Sequence, residues 1–323
     1  MMRPSFFSIG TRGSALALAQ TRSVVHLLES KYRDLKIEQK IISTRGDAHP
    51  KIAIHLPTSE ASGLFTRQLE DALLAGEIDM AIHSLKDLPI RIPEGLMLAA
   101  ILPRASSTDL LISLEPHKIS TLPRQATIGT SSPRRTEILR HIRPDFIFQA
   151  IRGNVPTRLR KLVFKESPDQ LDALILAQAG LERLGYDFRI DDGRGFFDFE
   201  GRRLYLRELA AMLPAPGQGA IAIETRCENT PASAALCVQV LHDENTALCV
   251  STERLLLSYL GGGCHMALGA LARVDNVVKK IHLQGVYFPY EGAIPRLGEA
   301  SGHTPEEVAL RVATMLGEKL AIS

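Results

Sequence analysis

Residues 126–160, ATIGTSSPRRTEILRHIRPDFIFQAIRGNVPTRLR, hold the pattern that decides the fold. A short apolar run leads through a turn of glycine, serine and arginine into an amphipathic stretch, and the sequence then does the same again. ATIG (126–129) and FIFQAI (146–151) have strand character, and each runs into a segment whose first positions suit a helix start. Ser132 and Asn154 are capping residue types, and Pro133 and Pro156 fall in the first turn, where a helix tolerates proline. Strand, tight turn and helix in repetition make βα units and a mostly parallel sheet.

The same logic extends outward. FFSIG (6–10) reads as a strand, and Ser14 can cap a helix that places Leu18, Val25, Leu28 and Tyr32 on one face. IEQKIIST (37–44) is the next strand. Phe65, Leu69, Ala72 and Leu73 have helical spacing that stops at Gly76, after which IDMAIHS (78–84) and LMLAAIL (96–102) return to strand character. DLLISL (109–114) opens a second lobe, to which LDALILA (171–177) also belongs. The segment from Tyr186 to Leu206 mixes charges, glycines and phenylalanines without a clear period and reads as a surface insertion. AIAIE (220–224) is a further strand that periodicity does not assign to either sheet. From about Asp243 the pattern changes to a long helical run, GGGC, two alternating runs (267–274 and 279–288), and a helix opened by Thr304, Pro305 and Glu307. That is a small α+β domain.

Composition narrows the function. With 323 residues the chain suits two or three domains. Its 45% hydrophobic and 23% charged residues include no long apolar run free of charge, so no membrane span is expected. A net charge of +2 and the lack of a long basic run argue against a nucleic-acid partner. The ten histidines form no HxxxH or His/Cys cluster, which argues against a metal site. Cys227, Cys237, Cys249 and Cys264 include no CxxC pair and are expected as reduced thiols. The N-terminus has no apolar stretch with a cleavage site, and a cytoplasmic address is expected.

The chemistry gathers where strands meet helices, the edge at which open α/β sheets bind ligands. IGTRGS puts Arg12 and Ser14 there. GTSSPRR adds Ser132, Arg134 and Arg135, and RGNVPTRLR adds Arg152 and Arg158. Arginine near a helix start opposes the macrodipole, so stability alone does not place it, and a bound anion explains it. Planar guanidinium forks suit carboxylates, so a ligand with several carboxylate arms fits this set better than a single phosphate. HSLKDLP (83–89) places Ser84, Lys86 and Asp87 after a buried strand, where an ionised carboxylate could hold a cation or pass a proton. An Asp/Lys turn pair is the plain structural reading of the same residues. Cys264 follows three glycines, a setting open to covalent attachment as well as to simple burial. Gly217, Gln218 and Gly219 form a tight loop at the mouth of a strand.

In this order, IGTRGSALALAQ, STRGD, GLFTRQLE, HSLKDLP, GTSSPRR, RGNVPTRL, AGLERLG, LPAPGQGAIAIE and ERLLLSYLGGGC resemble the porphobilinogen deaminase (hydroxymethylbilane synthase) family over residues 9–264. The resemblance implies an α/β fold with two doubly wound, periplasmic-binding-protein-like domains plus a small C-terminal α+β domain. Their bounds would be 1–104 with 217–240, 105–216, and 241–323, so that AIAIE rejoins the first domain. It also implies a transferase of tetrapyrrole biosynthesis that joins four porphobilinogen molecules head to tail, releasing four ammonia. The primer would be a dipyrromethane cofactor held by a thioether to Cys264. Asp87 would be catalytic. Arg12, Arg134, Arg135, Arg152, Arg158 and Arg183 would hold carboxylate arms, with Ser14, Gln20, Ser84, Lys86, Ser132 and Gln218 as polar contacts and Phe65 at the border of the site. A monomer that hands its product to uroporphyrinogen-III synthase follows from the same resemblance. Two positions depart from the family pattern: Ser62 stands where a loop lysine is usual, and Ala267 where a proline is. A two-lobed anion-binding or sensor protein that kept the arginines and lost catalysis is the competing reading, and Ser62 is its support.

Overall fold

The apolar N-terminal run forms β1 (Phe6–Thr11), and Ser14 caps the helix after it, its Oγ accepting the Ala17 N–H at 3.3 Å. The structure, a computed structural model, describes residues 6–43, 66–164, 170–228, 231–263 and 266–317. It divides into two units, Met1–Ala105 with Ala220–Ser251 and Ser106–Gly219 with Thr252–Ser323. Phe65, Ser62 and Cys264 lie outside the described residues.

In the first unit β1, β2 (Lys36–Ile41), β3 (Met80–Ser84), β4 (Leu96–Ile101) and β11 (Ile221–Arg226) form a sheet of order β2-β1-β3-β11-β4. β1 runs parallel to β2 and β3, whereas β11 is antiparallel to β3 and β4. The sheet is therefore mixed, which corrects the expectation of a mostly parallel one. AIAIE arrives without a βα crossover of its own, so nothing constrains it to run parallel. Of the face expected on α1 (Ala15–Lys31), Val25 and Leu28 are buried, and they pack with Phe7, Ile9, Met80 and Ile223. α2 (Arg67–Leu74) buries Leu69, Ala72 and Leu73 around Ile78 and ends before Gly76, whose φ of +72° suits glycine. α6 (Ala232–Leu241) follows β11.

In the second unit β5 (Asp109–Ser113), β6 (Thr127–Gly129), β7 (Ile147–Gln149), β8 (Ala173–Ala177), β9 (Arg194–Phe199) and β10 (Arg202–Glu208) form a sheet of order β7-β6-β8-β5-β10-β9. Its parallel pairs, β6 with β7 and β8, are the ones joined through α3 (Pro133–Ile142) and α4 (Val155–Val163). α5 (Gln178–Arg183) follows β8. The segment read as a surface insertion is largely a hairpin, β9–β10. Glu200 and Gly201, with φ of +47° and +77°, make its tight turn. Phe197, Phe199, Leu204 and Leu206 alternate inward and are buried with Leu159, Leu162 and Leu174. The period of two was present, but Glu-Gly lacks the Asn-Gly or Asp-Gly signature that marks a hairpin most plainly.

α7 (Glu244–Tyr259) leads to the last sheet, where β12 (Ala267–Asp275), β13 (Lys280–Phe288) and β14 (Arg296–Gly302) pair antiparallel. α8 (Pro305–Leu316) closes it, capped by Thr304. β14, RLGEASG, has too few apolar residues to announce itself. No helix among the described residues is long and apolar enough to cross a membrane.

If the hairpin carries core, Phe197→Ala will cost about 3–5 kcal/mol in urea denaturation. Arg203→Ala, which removes an exposed side chain stacked on Phe196, will change stability by about 0.5 kcal/mol or less.

Candidate functional site

β1 and β3 are neighbouring parallel strands, so their carboxyl ends emerge at one edge of the first sheet. Arg12 and Ser14 follow β1, Ser84 ends β3, and Lys86 and Asp87 follow it in a short 3-10 turn, Leu85–Asp87. Gln20, 2% exposed on α1, donates from Nε2 to Ser84 Oγ at 2.8 Å and ties the two groups together. The Asp87 side chain is exposed, and Arg12 and Lys86 are half-buried. Alternation along β3 sends His83 to the opposite face from Ser84. There, buried, its Nε2 lies 3.1 Å from Glu224 Oε2. Glu70 of α2 is buried as well, and burial raises its carboxyl pKa above the ordinary value.

The second unit is organised by a carboxylate that the sequence reading did not single out. Asp109 opens β5 and is fully buried. Its Oδ2 accepts from Arg134 Nη2 at 2.8 Å, and its Oδ1 accepts from Arg135 Nη2 at 2.7 Å and Nε at 3.2 Å. Gln218 Nε2 donates to the same Oδ1 at 3.0 Å. Burial works to raise the Asp109 pKa, but the charges and hydrogen bonds of Arg134 and Arg135 outweigh it and hold the carboxyl far below the usual range. Burial also lowers the Arg134 pKa, and Asp109 opposes this. The remaining guanidinium bonds go to backbone, Arg134 Nη1 to Leu213 O at 2.7 Å and Arg135 Nη1 to Ile175 O at 2.9 Å. Both side chains, expected to reach out to a ligand, are turned inward here. The signal that could have found Asp109 is local: a carboxylate at the head of DLLIS, an otherwise apolar strand, needs a buried partner.

The other arginines are less enclosed. Arg152 is exposed, and Arg158 is half-buried with Nε on Gly153 O at 2.8 Å. Gly153 has φ of +107°, and Asn154 caps α4 through the Thr157 N–H at 2.9 Å. Arg183 donates to Gly219 O at 2.6 Å, and burial lowers its pKa. Ser132 caps α3. The Gly217–Gly219 loop, where both glycines have positive φ (+74° and +88°), is also held by buried Glu253, which accepts the Gly217 N–H at 2.7 Å.

A cavity of about 680 Å³ lies within the second unit. Thr130, Ser131 and Pro133 of the α3 turn line it together with Gly261, Gly262 and Met266, which bracket Cys264 in the chain. Met266 Sδ packs against Gly262 where a Cβ would stand, so a larger residue there would displace the Met266 side chain from the cavity wall. Among the described residues no group of histidine, cysteine, aspartate and glutamate could hold a metal ion. Cys227 is exposed and Cys249 buried, and neither is in a disulfide.

A carboxyl whose pKa is raised on folding gives stability that is full at low pH and lost as pH rises through the raised value. Glu70→Gln removes that loss, so urea midpoints should favour the variant more at pH 8 than at pH 4.5. An equal difference at the two pH values would mean that Glu70 is not perturbed.

Residues 7–234 match the family model described as porphobilinogen deaminase, dipyromethane cofactor binding domain, and residues 247–321 match the porphobilinogen deaminase C-terminal domain. The chain is 40% identical over 321 residues to a probable porphobilinogen deaminase of Methanosarcina acetivorans, covering 97% of this chain and 93% of that one. It is 39% identical over 313 residues to the porphobilinogen deaminase of Desulforamulus reducens, with the same coverage of 97% and 93%. The Deinococcus radiodurans protein of that name is 42% identical over 273 residues, 83% of this chain and 81% of that one. With both of its domain models matched in order along one chain, and the arginine turns, the Asp87 turn and the glycine loop in the same sequence, this protein belongs to the porphobilinogen deaminase family.

Proposed function

We propose that the chain is a hydroxymethylbilane synthase, a transferase that condenses four porphobilinogen molecules head to tail with loss of four ammonia. The observation that carries this reading is the shared cavity: the residues on either side of Cys264 line it together with the α3 turn. Its wall offers the hydroxyls of Thr130, Ser131 and Thr136, whereas Arg140 in it is paired with Glu137 and Glu291, so the carboxylate arms of a group held by Cys264 would be met by the arginine turns outside it. Asp109 sets one negative charge against two guanidiniums, so the trio is net positive. Arg134 Nε is buried without a hydrogen-bond partner among the described residues. The net positive charge favours a polycarboxylate ligand nearby. When bound through a thioether to Cys264, the dipyrromethane supplies an electron-rich pyrrole carbon as the acceptor for each added unit.

The chain's own residues do the rest. Asp87, exposed beside Lys86 at the end of β3, accepts the pyrrole N–H and stabilises the positive charge that appears as ammonia leaves. Arg12, Arg152, Arg158 and Arg183 bind acetate and propionate arms, with Ser14, Gln20, Ser84, Lys86, Ser132 and Gln218 as neutral or cationic support and Arg134 and Arg135 supplying positive potential from behind. Phe65 borders the site from its loop. The same proposal places the protein in the cytoplasm as a monomer, within three domains, passing its product to uroporphyrinogen-III synthase. A binding or sensor protein without turnover is the weaker reading, because Asp87 and Lys86 are kept and only Ser62 favours it.

Protein produced with porphobilinogen present should carry a Cys264 adduct two pyrrole units heavier than the bare chain in intact-mass analysis. Folded protein with an unmodified Cys264 would sink the proposal. Asp87→Ala should lower kcat by about 10²–10³ in a porphobilinogen consumption assay while the adduct stays detectable; activity near that of the parent would remove Asp87 from its role.

A further inference from the structure

Asp109 takes no part in the reaction just described, yet its carboxylate accepts four hydrogen bonds from three residues of the site. Arg134 and Arg135 lie in the first turn of α3, directly after Ser132 and Pro133, and that turn lines the cavity. Gln218 lies in the glycine loop and also donates from Nε2 to Ser107 O at 2.7 Å, joining the loop to the segment before β5. One fully buried carboxylate thus fixes a helix start and a loop that are distant in sequence.

We propose that Asp109 is a positioning residue: it sets the guanidinium planes of Arg134 and Arg135, the first turn of α3 and the Gln218 amide, and through them the affinity of the second unit for substrate carboxylates. This rests on the functional reading above. Both guanidiniums are buried and outside the cavity lining, so their planes act on the ligand site indirectly, through the first turn of α3, whose Pro133 and Thr136 line the cavity. Among the described residues, apart from Asp109, Arg134 and Arg135 are each anchored through Nη1 to a single backbone carbonyl, Leu213 O and Ile175 O. One such bond leaves the plane free to swing. The excess charge of the trio and the spare Arg134 N–H distinguish it from a closed structural ion pair, in which charges match and donors are used.

Asp109→Glu separates positioning from stability, because it keeps the buried charge and moves the carboxylate by one methylene. Asp109→Asn removes the charge. Both variants should be compared with the parent by circular dichroism melting, by intact mass for the Cys264 adduct, and by kcat and KM for porphobilinogen. The expected result is a folded, adduct-bearing Asp109→Glu protein whose KM rises about tenfold or more while kcat stays within about threefold. A folded Asp109→Glu protein with KM within about twofold of the parent would overturn the inference alone. If neither variant folds, Asp109 serves stability only, and the inference is likewise overturned. Absence of turnover in the parent would overturn the functional reading and this inference with it.

Discussion

Two guanidiniums converge on one carboxylate in the interior of the second unit, and the candidate site there depends on that convergence. Taking Asp109 out of water is expensive, and neither arginine alone would make good the loss. Together they hold the carboxyl ionised, while backbone carbonyls of residues 175 and 213 take further donors. Removing one partner from such a buried set typically costs about 3–5 kcal/mol, a large share of a domain's stability. The cluster is therefore tightly determined, and so is the start of α3, whose first turn supplies both arginines.

The Gly217–Gln218–Gly219 loop shows the same principle on backbone. Its two positive φ values would leave an isolated segment poorly defined. Glu253 accepts the Gly217 N–H, Asp109 accepts the Gln218 amide, and Arg183 donates to Gly219 O. Glu253 also accepts the Ala272 N–H of β12 at 2.9 Å, so one buried glutamate of α7 secures both the loop and the last sheet. Charged side chains reach these groups because α/β packing brings strand ends and helix starts to one edge.

The elements were legible wherever local chemistry matched the final environment. Ser14, Ser132, Asn154 and Thr304 are caps in the structure as in the sequence, and the buried strands follow their apolar runs. The hairpin at 194–208 was missed because its inward alternation is interrupted by charges and closed by Glu-Gly, and β14 because its residues are small and polar. The sheets are mixed and not mostly parallel, because the direction of a strand such as β11 is fixed by the neighbours available to it and not by its own residues.

By itself the sequence determined that helices begin where arginine and serine turns follow strands and that the chain belongs with the deaminases. These are local properties, carried by residue type and spacing. Only the tertiary structure decided that Arg134 and Arg135 face inward, that Asp109 gathers them, and that the residues flanking Cys264 share a cavity with the α3 turn. Which partner a buried charge finds depends on long-range packing. Asp109 lies 25 and 26 residues from its arginines and 109 from Gln218, separations over which no local periodicity carries information.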